Sequence, residues 1–211
     1  MVVKLLQSNL RIDNSGIARI LSAGRKDGGL SHSILDRLDG AKDRARGLIK
    51  PKAIYDIFDA KDLPHRECFD EAKKVALAIC TIGTELPDLA KELMKGGRLV
   101  EGVLFDAIGS VAAEAVASEI NIMINQRAKD LSLQVSERFS PGYCNWDISD
   151  QQLFFHKLNA KQINVALTDA FIMVPVKSIC FAVNMGDNVL DSRWQNRCMY
   201  CNKKDCSHRR S

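Results

Sequence analysis

Glu137-Arg138-Phe139-Ser140-Pro141-Gly142-Tyr143-Cys144-Asn145-Trp146 brings a rigid turn, a guanidinium, two stacking rings and a thiol together in one short stretch. Pro141-Gly142 suits the two central positions of a type II turn. Proline presets φ at the first, and glycine tolerates positive φ at the second. Gly142 also lets backbone approach a ligand with no Cβ in the way. Arg138 carries a planar fork of donors suited to a carboxylate or phosphate. Tyr143 and Trp146 can stack on a flat group or face a cation. The plainer alternative is an ordinary strand-to-helix turn beside one exposed arginine.

Upstream, 131–138 reads as an extended entry into that turn. Before it, Leu99 to Ala128 is predicted as the longest helix, with Val103, Leu104, Ala107, Ile108, Val111, Ala112, Val116 and Ile122 in a broad apolar stripe. Small residues at Ala107, Gly109, Ser110, Ala112 and Ala113 permit close approach of another backbone or a ligand. Glu114 lies among them, either on the solvated face, which periodicity favours, or meeting a cation. A shorter helix over Leu86 to Met94, capped by Thr84 and stopped by Gly96-Gly97, precedes it. Ala53 to Phe58 and Lys74 to Thr81 read as strands, the second more buried. His65 and Cys68 between them have metal-ligand spacing but no partner ligands nearby. Near the N-terminus, Asn14 or Ser15 caps a short helix through Leu21, and a second helix starts at Ser31 or Ser33 and ends before Pro51.

Downstream, Asp147 or Ser149 caps a helix bearing Leu153, Phe154, Phe155 and Leu158. Val165 to Thr168 leads to a strand over Ala170 to Val174, which Pro175 ends. Lys177 to Met185 is a further strand, expected to pair antiparallel with its neighbour. The order lacks regular βαβ alternation. It predicts an α+β fold: a twisted antiparallel sheet with helices on one side or at the rim, one of them long. Three parts are expected: a helical segment over 1–50, the main domain over 51–190, and a basic cysteine-rich tail over 191–211.

The chain has 211 residues, enough to bury a sizeable core. Its hydrophobic content of 46% and charged content of 27% are ordinary for a globular protein. No run approaches the ~20 apolar residues of a membrane helix. The N-terminus lacks the basic-then-apolar pattern of a signal peptide. A cytoplasmic protein is expected, with its 7 cysteines mostly reduced. From Arg193 to the end, Arg193, Arg197, Lys203, Lys204, Arg209 and Arg210 face only Asp205, a local charge of +5 out of a total of +4, which leaves −1 for the rest. A basic tail can meet nucleic acid or an acidic surface. With only Trp194 and Tyr200 interleaved, nucleic acid is the weaker reading.

The tail also holds Cys198-x2-Cys201-x4-Cys206-x-His208. Such spacing brings three thiolates and an imidazole within reach of one zinc ion or an iron–sulfur cluster. The alternative is a set of reduced thiols that bind nothing.

Arg138-Phe139-Ser140-Pro141-Gly142-Tyr143 resembles the Arg-x-x-x-Gly-Tyr motif of the activation (reactivation) domain of cobalamin-dependent methionine synthase, and a tryptophan follows it as in free-standing members. Leu104 to Ser110 with Ala113-Glu114-Ala115 is similar to that family's long-helix signature. Leu167 to Ser178 is similar to its late strand pair. The resemblance spans about Ala72 to Gly186. It implies the family's fold, S-adenosylmethionine as ligand, and support of reductive methylation of cob(II)alamin. It implies that Arg138 holds the ligand carboxylate, that Glu114 lies near the ammonium, that the Ser140 backbone reaches the adenine, that Gly142 makes the turn and that Tyr143 lines the site. Trp146 is further expected near the sulfonium. After Gly-Tyr the parent domain has Pro-Ala-Cys-Pro where this chain has Cys144-Asn145-Trp146, and its late paired tyrosines have no counterpart here. No Asp-x-His-x-x-Gly corrinoid motif is present, so cobalamin is expected on a separate corrinoid partner served by an electron donor. A second expectation is a metal- or cluster-bearing docking and redox adaptor for such a partner.

Overall fold

β-Branched and aromatic residues in runs bounded by proline and turn residues make the sheet. The structure, a computed structural model, describes residues 1–5, 10–22, 32–64, 66–69, 72–143 and 146–189. Strands β1 (Val2–Lys4), β2 (Lys52–Asp59), β3 (Lys74–Thr81), β4 (Gln134–Val135) and β7 (Ser178–Gly186) form an antiparallel sheet in the order β1-β2-β3-β7-β4. A separate ribbon pairs β5 (Ala166–Leu167) with β6 (Met173–Val174). The expected strand over 170–174 is therefore shorter and pairs with β5, not with β7. Phe171 has φ 56°, and the Phe171 N–H donates to the Thr168 carbonyl, so this part is a turn.

β3 reads as a continuous apolar run because it is covered on both faces. Ala76, Ala78 and Cys80 enter one core, and Val75, Leu77 and Ile79 the other. β7 alternates likewise, with Phe181, Val183 and Met185 on the first side and Cys180 and Ala182 on the second. Helices flank the sheet as expected, and this alternation puts them on both faces. The first face is covered by α5 (Leu99–Asp130), with α1 (Asn14–Leu21), α2 (His32–Leu48) and α4 (Glu85–Lys95) packed around it. The second face is covered by α3 (Arg66–Phe69), α6 (Gln151–Lys157) and the 3-10 turn Ala160–Ile163. Ile17, Leu38, Ala45 and Ile49 share the first core with the central strands.

Local chemistry explains the helix ends. Asp13, not Asn14 or Ser15, caps α1: its carboxylate accepts from the Gly16 N–H at 2.8 Å and lies below the usual carboxylate range, chiefly through the Ser15 hydroxyl and then that N–H. Thr84 precedes α4 without a side-chain cap bond. Asp147 accepts from the Ser149 N–H at 2.8 Å and opens a 3-10 turn that runs straight into α6. α5 is buried on two sides, against the sheet and against the other helices, and continues two residues past the expected end at Ala128. Ser132, with φ 56°, turns the chain after it. α4 and α5 cross closely at Gly102, where an added Cβ would lie 2.9 Å from the Ala90 carbonyl oxygen and 3.0 Å from the Met94 nitrogen.

Candidate functional site

The seam between α5 and β7 carries the charged residues. The chain leaves β4, and Phe139 forms an antiparallel bridge with Ala182: its N–H donates at 3.0 Å and its carbonyl accepts at 2.7 Å. Side chains alternate across an extended segment. Phe139 therefore turns into the second core, and Arg138 turns the other way, over the α5 side. The Arg138 guanidinium carbon lies 5.3 Å from the centre of the Phe181 ring. Its Nη2 donates to Glu114 Oε2 at 3.2 Å. The arginine side chain is 27% exposed and the glutamate 62%, so the pair is half-open to water and weak as a stabilising contact. Beneath it the fully buried Cys80 thiol is pushed up to about 12 by burial, while Arg138 and Glu114 act on it in opposite directions.

The turn has the expected form. Gly142 has φ 89°, and the Tyr143 N–H donates to the Ser140 carbonyl at 3.3 Å. The Gly142 N–H donates to the Trp146 carbonyl at 2.8 Å, which closes the loop on itself. A Cβ at Gly142 would meet Ile148 at 2.8 Å. Ser140 is half-buried and Tyr143 is 53% exposed beside it. Arg138, Glu114 and the Ser140–Tyr143 turn thus lie together, with Arg138 and Glu114 in direct contact.

Trp146 is not where it was expected. It is 5% exposed, on the opposite side of the sheet from α5. Its ring stands 5.8 Å from Phe69, 5.2 Å from Phe139 and 5.9 Å from Phe154, and its Nε1 donates to Asp150 at 2.7 Å. A buried indole with its N–H satisfied is a core ring and cannot meet a sulfonium. Its part in the site is to anchor the turn.

Lys177 is a contributor that sequence reading missed. It precedes β7 and reaches α5, where its Nζ lies 2.7 Å from Asp106 Oδ1 and donates to Ser110 Oγ at 2.9 Å. The lysine stem passes alongside Gly109, where a Cβ would be in ordinary van der Waals contact with it at 3.5 Å. Asp106, Ser110 and Glu114 recur every four residues along one stripe of α5. That spacing is the signal that was available. The small residues of the helix do admit a close approach, and the group that approaches at Gly109 is this stem.

Cys198, Cys201, Cys206 and His208 lie outside the described residues, as do His65, Cys144 and the basic residues of the tail. Among the described residues no cluster of three metal-ligating side chains occurs, and Cys68, Cys80 and Cys180 are buried. Among them also, no helix is long and apolar enough to cross a membrane.

No protein-family model matches the chain, and no curated protein matches it in sequence. Among solved structures it is similar to "Crystal Structure of the MetH Reactivation Domain bound to AdoHcy", with a TM-score of 0.64 at 14% identity over 89% of this chain and 78% of that one. At that identity the likeness establishes architecture, and the chain has the fold of the MetH reactivation domain.

Proposed function

We propose that the protein binds S-adenosylmethionine at the α5–β7 seam and serves a separate corrinoid protein, such as a methionine synthase, as a reactivation component. The observation that carries this reading is the half-open Arg138–Glu114 pair beside the Ser140–Tyr143 turn. A guanidinium and a carboxylate side by side complement an α-amino acid. The ligand carboxylate takes the arginine fork, the ammonium takes the glutamate, and the pair opens with no net change of charge. Ser140 presents backbone to the adenine, Gly142 keeps the turn tight, and Tyr143 lines the edge. On such a partner the reduced corrinoid supplies the nucleophile and an electron donor restores it. This chain's contribution is to hold and aim the methyl donor. The fold neighbour, a structure bound to AdoHcy, supports this ligand class.

The test is calorimetric titration of S-adenosylmethionine and S-adenosylhomocysteine into anaerobically prepared wild type and Arg138→Ala. Saturable binding by wild type and its loss in the variant are expected. No binding by wild type, or equal binding by both, would overturn the assignment.

A second reading rests on Cys198-x2-Cys201-x4-Cys206-x-His208 amid six basic residues, whose charge favours the thiolate forms that bind metal. In it the tail carries zinc or an iron–sulfur cluster, and the protein is a docking and redox adaptor for the corrinoid partner. Elemental analysis and visible absorption of the anaerobic protein test it; metal-free full-length protein would sink it.

A further inference from the structure

The Lys177–Asp106 pair lies at the other end of the same seam. Asp106 and Glu114 stand two turns apart on α5, ~12 Å along the axis. From its bridge at Ala182 the segment Phe139–Pro141 runs antiparallel to β7, and so leads from the Arg138 end towards Lys177. Along this seam the Asp106-Ser110-Glu114 stripe of α5 meets the 138–141 segment through the Arg138–Glu114 pair and meets Lys177, just ahead of β7, through Asp106 and Ser110.

The two ends differ in which charge faces water. At one end the Arg138 side chain is 27% exposed and Glu114 62%. At the other the Lys177 side chain is 15% exposed and Asp106 46%. The stem lies alongside Gly109 and the ammonium is committed to Asp106 and Ser110, while the Ser110 hydroxyl donates to the Asp106 carbonyl at 3.1 Å. What this end offers a ligand is the more exposed carboxylate, oriented by the lysine behind it. A phosphate would meet that carboxylate first and be repelled. A neutral group with donor hydrogens is what fits.

Resting on the reading of the Arg138 end as an amino-acid site, we infer that Asp106 is the second anchor of the seam and accepts hydrogen bonds from the ribose hydroxyls of the nucleoside. Lys177 and Ser110 are its positioning residues. A carboxylate suits a vicinal diol because two acceptor oxygens meet two hydroxyl donors, as acidic residues do for ribose in dinucleotide sites. The spacing of the two ends is comparable with the extended length of a nucleoside joined by a short chain to an amino acid.

The experiment titrates S-adenosylhomocysteine into full-length wild type, Asp106→Asn and Arg138→Ala, and measures its displacement by 5′-methylthioadenosine and by methionine. In Asp106→Asn, S-adenosylhomocysteine and methylthioadenosine weaken about tenfold while methionine competes as in wild type. In Arg138→Ala, methionine is lost and methylthioadenosine still binds. Unchanged S-adenosylhomocysteine affinity in Asp106→Asn, alongside its loss in Arg138→Ala, would remove the Asp106 anchor and leave the amino-acid site standing. Equal weakening of both fragments by Asp106→Asn would make the Lys177 pair a structural tie, and would also overturn the anchor. Failure of wild type to bind S-adenosylhomocysteine would refute the ligand assignment itself, and the anchor with it.

Discussion

Arg138 and Trp146 belong to one short stretch, yet they lie on opposite faces of the sheet and do opposite work. Trp146, with Phe139, Phe69 and Phe154, makes an aromatic core on the α6 face. Arg138 crosses to the α5 face and meets an exposed carboxylate. One face packs the residues that flank the turn, and the other carries the contacts of the proposed ligand site. A side chain can be aimed at a ligand when its sequence neighbours are immobilised elsewhere.

The sharpest way to break this contrast is Trp146→Ala. Removing a buried indole is expected to cost about 3–5 kcal/mol in denaturant unfolding. Ligand binding should weaken as well, because the turn loses its anchor. Arg138→Ala should do the reverse and abolish binding at a stability cost of about 1 kcal/mol or less, since its ion pair is half-exposed. A Trp146→Ala protein of wild-type stability would mean that the aromatic face does not anchor the turn.

A smaller effect tests the α5 face. Gly102→Ala places a methyl against the Ala90 carbonyl and the backbone of Met94, which are not flexible groups. Overpacking of about 1–3 kcal/mol is expected, with the near-ultraviolet signature of the buried Trp146 unchanged. A neutral substitution would show that α4 can slide along α5.

The smallest effect lies farthest from the turn, at Asp13. Replacing this cap by alanine is expected to cost about 1 kcal/mol. The sign with pH follows from its lowered folded-state pKa. The cap contributes fully above the ordinary carboxylate range, and its contribution is lost as pH falls through the lowered value. Asp13→Ala should therefore differ from wild type near neutrality and converge with it in acid. A constant difference across pH would mean that the loss is not the charged cap.

Much of the architecture was readable from short-range pattern. β3 emerges at its observed boundaries because eight consecutive residues are bounded by turn chemistry. α5 emerges because small and apolar residues recur over many turns. The Pro141-Gly142 turn emerges because proline and glycine constrain φ whatever surrounds them. Even the late strand was found nearly whole, although its partner was misassigned: pairing joins β7 to β3 across a long separation in the chain, and no local pattern reports that choice.

The site was legible only in its parts. Glu114 sits on a helix face that periodicity leaves to solvent, and it is indeed exposed; its contact with Arg138 depends on where β4 lands beside β7. Lys177 looked like an interruption in an apolar run until Gly109 was seen to receive its stem. Trp146 could have served either as a stacking ring or as a core ring. Composition and local dihedral preference were enough to settle the α+β class, the long helix, the glycine turn and the residues able to carry charge. Which charges meet, which ring is buried and which end of the seam shows the more committed lysine were settled by packing, because those contacts join residues far apart in the chain.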